Sequence, residues 1–375
     1  MKIISGRMGA AALGVSLAFG AAAHAADIGI MSIQAMSGPY AFAGVSYANG
    51  IKLAVEQAEA DHYLGDTNIK LQMEDNAGDK NQAINLANQA VRPDGPIIVL
   101  GPTTTVDTLA VAPVFNDNKT PLLSLATSSL SLETGPWIFN TEQNAGDLLP
   151  VLTHYLLTKT DLRKIAIIYD RSSDGYLEQR DTIAKTVKEG GGEIVASEAV
   201  TGTDTNFLPL VTKMMGVDID AIYLAVTPEQ GANLMIQFRQ AGLPDKVHFM
   251  GGITLASPSI MEMAGQAAEG TYVIADYIAG VDRPVNKAFE EAFQKKFNAP
   301  VDQFAAVGYT MGKAALKAIK DAGAEPTREK VRDALLNIGS VPSPLGNGSW
   351  THKDRHPHYG AIVTMIKDGK LSAIE

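Results

Sequence analysis

Apolar and polar positions along this chain alternate in two kinds of block. Nearly continuous apolar runs, of the sort that suits strands buried on both faces, recur at 28–33 (IGIMSI), 69–74, 96–101, 121–126, 164–170, 193–200, 221–226, 247–252 and 271–277. Segments with helical periodicity separate them, among others Lys80–Val91, Val106–Asn116, Gly175–Glu189, Phe207–Met215 and Glu229–Ala241. Strand followed by helix, repeated, predicts right-handed crossovers and parallel sheets covered on both faces, an α/β fold. One such series ends near Thr141 and a second begins near Asn144, which predicts two lobes of similar architecture. Beyond them Asn286–Phe297, Phe304–Ala322 and Thr327–Ile338 read as consecutive helices, followed by a last strand at 360–369. Helices in a row after a finished sheet predict a return of the chain over an earlier lobe.

The stretch AMSGPYAFAGVSYANG (35–50) interrupts this rhythm between the first strand and a helical segment, IKLAVEQAEA. A turn needs only a few residues, so a longer connector rich in small residues and aromatics predicts a second role. In open α/β sheets ligands sit beyond the carboxyl ends of the strands. There Ser37 and Gly38 can present a hydroxyl and a backbone N–H, and Tyr40 and Phe42 flat apolar surface. GPTTTVDT (101–108) and SLATSSLS (124–131) follow later strands of the same lobe and carry many hydroxyls. Three such loops aim polar groups at one crevice.

Composition changes the picture at the N-terminus. Residues 1–25 combine Lys2 and Arg7 with an apolar, small-residue run ending Ala23-His24-Ala25, the pattern of a secretory signal peptide cleaved near Ala25. Cleavage lowers the basic residues from 31 to 29 against 41 acidic ones, a balance of −12, which disfavours nucleic acid and anionic lipid as partners. The absence of cysteine excludes disulfides, thiolate metal sites, a cysteine nucleophile and a lipid-modified N-terminal cysteine. No other segment is apolar enough to span a bilayer, and a freely exported periplasmic protein without stable membrane insertion is expected.

The ordered set Ala35-Met36-Ser37-Gly38-Pro39, Gly44, EDNAGDKNQAINLANQAV (74–91), GPTTT (101–105), PLLSLATS (121–128), IAIIYD (165–170), FMGG (249–252) and AAEGTYV (267–273) resembles the periplasmic leucine/isoleucine/valine-binding protein family, from about Asp27 to the C-terminus. The resemblance implies the type I periplasmic binding fold, two Rossmann-like lobes joined by a three-segment hinge that closes on a small ligand. It implies delivery to an ABC transporter permease by a monomer without a cofactor. The crossovers are expected near 144, 276 and 345, so that 26–144 and 277–345 form lobe 1 and 145–276 and 346–375 lobe 2.

By the same resemblance Thr105, Ala126 (through its N–H) and Ser128 stand where the family holds a ligand carboxylate, with Thr104 and Thr127 beside them. The family's glutamate for the α-ammonium is replaced by Ile253. An unpaired ammonium in a dry cleft costs several kcal/mol. Ala43 and Asp174 stand where relatives carry aromatic residues, next to Gly175 and Tyr176, and Val226 ends and Thr227 follows a strand of the second lobe. A widened cleft bearing Tyr40, Phe42 and Tyr277 therefore implies an organic acid without an amine, an aromatic carboxylate of the benzoate or hydroxycinnamate type. Asp174 reads either as acceptor for a ring hydroxyl or as a solvated carboxylate. Branched-chain or other amino acids form the alternative.

Duller readings accompany these. Thr103–Thr105 can cap a helix, Ser128–Ser131 can form turns, and Tyr40 and Phe42 can be packing. His352, His356 and His358 in THKDRHPH suggest a metal, but interleaved Lys353, Arg355 and Pro357 oppose it, so a solvated loop is expected and no metal site. No Walker loop, GxGxxG after a strand, HExxH, GxSxG or kinase set occurs in the mature chain, so no enzyme motif supports catalysis. A ligand-sensing partner of a membrane receptor is a third possibility.

Overall fold

The computed structural model describes residues 27–374; the expected signal peptide lies outside them. In the first lobe β1 (Ile28–Gln34), β2 (Ile69–Asp75), β3 (Ile98–Leu100), β4 (Leu122–Ser124) and β5 (Ile138–Asn140) form a parallel sheet in the order β2-β1-β3-β4-β5. The helices α1 (Ala41–Ala60), α2 (Lys80–Ala90), α3 (Thr105–Asp117) and α4 (Leu130–Glu133) connect them. The second lobe runs α5 (Ala145–Lys159), β6 (Lys164–Asp170), α6 (Asp174–Glu189), β7 (Glu193–Val200), α7 (Leu208–Met214), β8 (Ala221–Ala225), α8 (Pro228–Gln240), β9 (His248–Gly251), α9 (Pro258–Ala264) and β10 (Tyr272–Ala275). The chain then returns as α10 (Pro284–Phe297), α11 (Gln303–Asp321) and α12 (Arg328–Leu336) to cover the first lobe, where Phe289, Phe304 and Leu335 join its core. After the short strands β11 (Val341–Pro342), β12 (Ser349–Lys353) and β13 (His356–His358), the hairpin β14 (Ile362–Lys367) and β15 (Lys370–Ala373) completes the second sheet, β15-β14-β10-β9-β8-β6-β7.

Several expectations are corrected. The long connector over 35–50 is a connector only to Tyr40, because α1 begins at Ala41. Its glycines allow close approach instead of breaking the helix. A Cβ on Gly50 would collide with the Ala305 carbonyl oxygen, and one on Gly308 with that of Tyr47, so α1 and α11 touch backbone to backbone. The expected strands at 96–101 and 121–126 shorten to three residues each, because their carboxyl ends turn into the loops before α3 and α4. β5 is too short to show a periodicity, and β14 pairs antiparallel with β10, so the second sheet is mixed.

The third crossing also moves. Residues after 345 were expected in lobe 2, yet Trp350 is fully buried in the first core and donates Nε1–H to the Thr141 carbonyl at 3.0 Å. Arg355 donates to the carbonyls of Leu132, Gly135 and Ile138, all in the first lobe. The chain changes lobe after Tyr359. The expected solvated histidine loop is in fact the β12–β13 hairpin: His352 bonds the Leu335 carbonyl and its ring lies against Phe139 and Trp350, and His356 meets Asn144 at 2.6 Å. Among the described residues no group of three or more His, Cys, Asp or Glu is placed to hold a metal.

Candidate functional site

A cleft between the lobes lies at the carboxyl ends of both sheets. From the first lobe it is lined by the connector and first turns of α1 (Tyr40, Phe42, Ala43, Tyr47), by Thr103–Thr105, and by Leu125 and Thr127. The second lobe contributes Ser173, Gly175 and Tyr176 at the start of α6, then Gln179, Ile253 and Thr254. Glu142 of the first crossing and Phe304 of α11 complete it.

Local sequence dictates how the hydroxyls are aimed. Thr104 is the N-cap of α3, its Oγ1 accepting Asp107 N–H at 3.0 Å, so Thr105 occupies the first helical position. Thr105 Oγ1 accepts Thr127 N–H at 3.3 Å, which leaves its own proton to donate into the cleft. Thr103 is engaged elsewhere, donating to Gln34 Oε1 at 2.8 Å and accepting Ala35 N–H at 2.9 Å. Opposite stands the N-terminus of α6, whose Gly175 lies so close that a Cβ there would be 3.2 Å from Thr105 Oγ1. Two helix N-termini thus face each other across the cleft, each carrying the positive end of a helix dipole. Among the described residues that line it there is no lysine, arginine or histidine.

The walls are aromatic. Phe304 packs edge-on against Phe42 and Tyr47, with centroids 5.6 and 5.4 Å apart, and Tyr40 is tilted against Phe42 at 6.5 Å. Burial, then the nearby Asp170 and Asp107, pushes the Tyr40 phenol up to about 12. Gly78, at φ +69°, provides Tyr40 with its berth, since a Cβ there would sit 3.1 Å from the ring. The free space in the cleft is about 80 Å³. That is below the ~150 Å³ cavity that holds benzene in an engineered protein.

The structure therefore brings together Tyr40, Phe42, Ala43, Thr104, Thr105, Thr127, Tyr176 and Ile253. It does not bring the rest of the expected set. Ala126 is buried and its N–H is directed to Ser124 Oγ at 3.3 Å. Ser128 is fully buried beside the cleft, its Oγ accepting Leu130 N–H at 3.3 Å and facing the Glu178 carboxylate of α6. Asp174 is exposed and lines a separate surface groove with Leu130 and Lys185, because the first position of α6 points outward. Val226 belongs to the second core, and Thr227 is spent on a capping box with Gln230. Tyr277 packs on Phe289 and donates to Glu290 at 2.7 Å, within the first lobe. The expected widening from Ala43 and Asp174 is offset by Tyr47, Tyr176 and Phe304.

Sequence reasoning missed Glu142, an acid in the lining of the cleft. Glu142 is 1% exposed and accepts a hydrogen bond from the Tyr47 hydroxyl. Burial, with Asp276 nearby, raises its carboxyl to about 8 despite that bond. No strand or helix pattern marks it, since it stands in the crossing itself. Tyr47 was within reach, one turn after Ala43 on the buried face of α1.

Comparison with known proteins agrees with this geometry. A family model described as periplasmic binding protein matches residues 27–370. The chain belongs to the periplasmic binding protein family. A Leu/Ile/Val-binding protein of Escherichia coli is 28% identical over 344 residues, covering 90% of each chain. Among solved structures, a branched-chain amino acid transporter substrate-binding protein of Streptococcus pneumoniae in complex with isoleucine superposes with a TM-score of 0.85 at 23% identity, covering 92% of this chain and 98% of that one. A solute-binding protein of an ABC transporter from Rhodopseudomonas palustris, in complex with 3,4-dihydroxybenzoic acid, gives 0.83 at 23%, covering 93% and 96%. This chain shares the two-lobed α/β fold of these solved structures. No helix among the described residues is long and apolar enough to cross a membrane.

Proposed function

We propose that this chain is the periplasmic solute-binding protein of an ABC importer and that its ligand is a small aromatic carboxylate. The observation that carries the reading is the pairing of neutral donors with aromatic walls: the Thr105 hydroxyl at the α3 N-terminus faces the α6 N-terminus beside Tyr40, Phe42, Tyr176 and Phe304. Two opposed helix dipoles favour a carboxylate without a cation, and the rings favour a flat apolar body. The narrow free space requires the lobes to part for a ring to enter and to close around it, which is the gating step. The closed form is what a permease would recognise; the protein binds and releases its ligand unchanged and acts as a monomer after signal-peptide removal.

An α-amino acid is a second reading, and Glu142 is the observation that favours it. A ligand ammonium would draw the buried carboxyl into its ionised form, regaining by pairing what burial costs. The E. coli relative is a Leu/Ile/Val-binding protein, and the two solved relatives hold an amino acid and a dihydroxybenzoate.

A thermal-shift screen confirmed by calorimetry decides between them. Benzoate, 4-hydroxybenzoate, 3,4-dihydroxybenzoate and a hydroxycinnamate should raise the melting temperature, with L-leucine, L-isoleucine and L-valine inert at equal concentration. The reverse pattern transfers the assignment to amino acids. Conversion of any of them would remove the carrier reading.

A further inference from the structure

Closure needs contacts that exist only when the lobes meet, and one such contact is built without touching the cleft space. Gln303, the first residue of α11 in the first lobe, is 2% exposed and donates Nε2–H to the Ile253 carbonyl of the second lobe at 2.6 Å. Its position is fixed from behind. Asp302 caps α11 by accepting Ala305 N–H at 2.8 Å and receives the Ser46 hydroxyl of α1 at 2.8 Å. On the other partner's side, Ile253 and Thr254 form one wall of the cleft, and Thr254 bonds the Tyr176 hydroxyl. Phe304, next in sequence to Gln303, lines the same cleft.

We propose that Gln303 is the closing latch of this carrier: its bond to the Ile253 carbonyl sets the open-to-closed equilibrium and hence ligand residence time, with no contact to the ligand. The inference rests on the solute-binding reading but not on which ligand is bound. Parting the lobes hands both the amide and the carbonyl to water, so the bond contributes only to the closed form. The gain is moderated because Gln303 Oε1 is buried without a partner in that form. A loss of about fivefold in closing equilibrium is therefore expected, no more than the middle of the range for a neutral amide bond.

The test uses the full mature chain. Because the protein has no cysteine, Asn81→Cys on α2 and Glu229→Cys on α8, both exposed, can carry a spin-label pair reporting the distance between lobes. Gln303→Met keeps the volume and removes the donor. It should shift the distance distribution toward the open form, with or without 3,4-dihydroxybenzoate or L-leucine as probe. For whichever probe closes the protein, dissociation should quicken about fivefold with association nearly unchanged. The ligand-free melting temperature should stay within a degree or two, whereas a merely structural residue would lower it and leave the distances alone. Equal distance distributions in variant and parent, or a more closed variant, would overturn the latch. If no probe closes either protein, the ligand readings fail while the ligand-free distances still judge Gln303.

Discussion

The Tyr359 hydroxyl donates to Asp276 Oδ2 at 2.9 Å, joining the third crossing between the lobes to the second. Gln143 of the first crossing donates its N–H to the Tyr359 hydroxyl oxygen at 3.2 Å and its side-chain amide to the Gly360 carbonyl at 3.1 Å. All three crossings thus meet in one buried polar knot. Its two carboxyls, Asp276 and Glu142, lie near each other and take their hydrogen bonds from neutral groups, the phenols of Tyr359 and Tyr47 and the Gln143 amide.

Burial raises Asp276 to about 7, with Tyr359 and Gln143 opposing the rise. A raised acid holds its proton longer in the folded chain than in the unfolded one, so its contribution to stability is complete below about pH 4 and is lost as pH climbs through about 7. Asp276→Asn keeps an acceptor for Tyr359 and removes the titration. Melting temperatures at pH 5, 7 and 9 should fall more steeply in the parent than in the variant. Parallel curves would show that Asp276 is not the titrating group.

Thr105→Val removes one hydroxyl and keeps the shape. It should weaken ligand binding by about 1–3 kcal/mol, read by calorimetry, if that hydroxyl meets the carboxylate. An unchanged dissociation constant would take Thr105 out of the site.

Glu142→Gln separates the ligand classes. A hydroxylated aromatic acid can bond an amide as well as a neutral carboxyl, so its affinity should change by no more than about threefold, whereas a zwitterion loses its anionic partner and should bind about 10–100-fold more weakly. Weakening of the aromatic acids alone would contradict the proposed assignment.

Gly78→Ala places a side chain at a left-handed position, at about 1–2 kcal/mol, and presses on the Tyr40 ring. Lower stability by thermal unfolding and weaker binding should appear together. A destabilised protein with full affinity would show that Tyr40 is packing only.

Gly308→Ala would set a methyl against the Tyr47 carbonyl and force α1 from α11. Overpacking of this kind costs about 1–3 kcal/mol. The loss should appear in urea unfolding, and the altered Tyr47 should disturb the Glu142 bond as well.

The order of strands and helices was legible in the sequence because burial on both faces leaves continuous apolar runs, as in KIAIIYD and AIYLAV, and because each helix keeps its own periodicity. The cap of α3 in the Thr103–Thr105 run was legible too, since a capping threonine after a strand acts locally. What no local pattern encodes is which groups from distant segments converge. Glu142 sits in a crossing with no periodicity, Ser128 and Asp174 were turned away from the cleft by the seam and by the first turn of α6, and Trp350 drew the last hairpin onto the first lobe. The sequence by itself determined the elements and the two-lobed α/β class, for these depend on near-neighbour sterics and hydrophobic periodicity. Only the tertiary structure decided that an acid lines the cleft and that Gln303 spans the seam, because both follow from the packing of residues far apart along the chain.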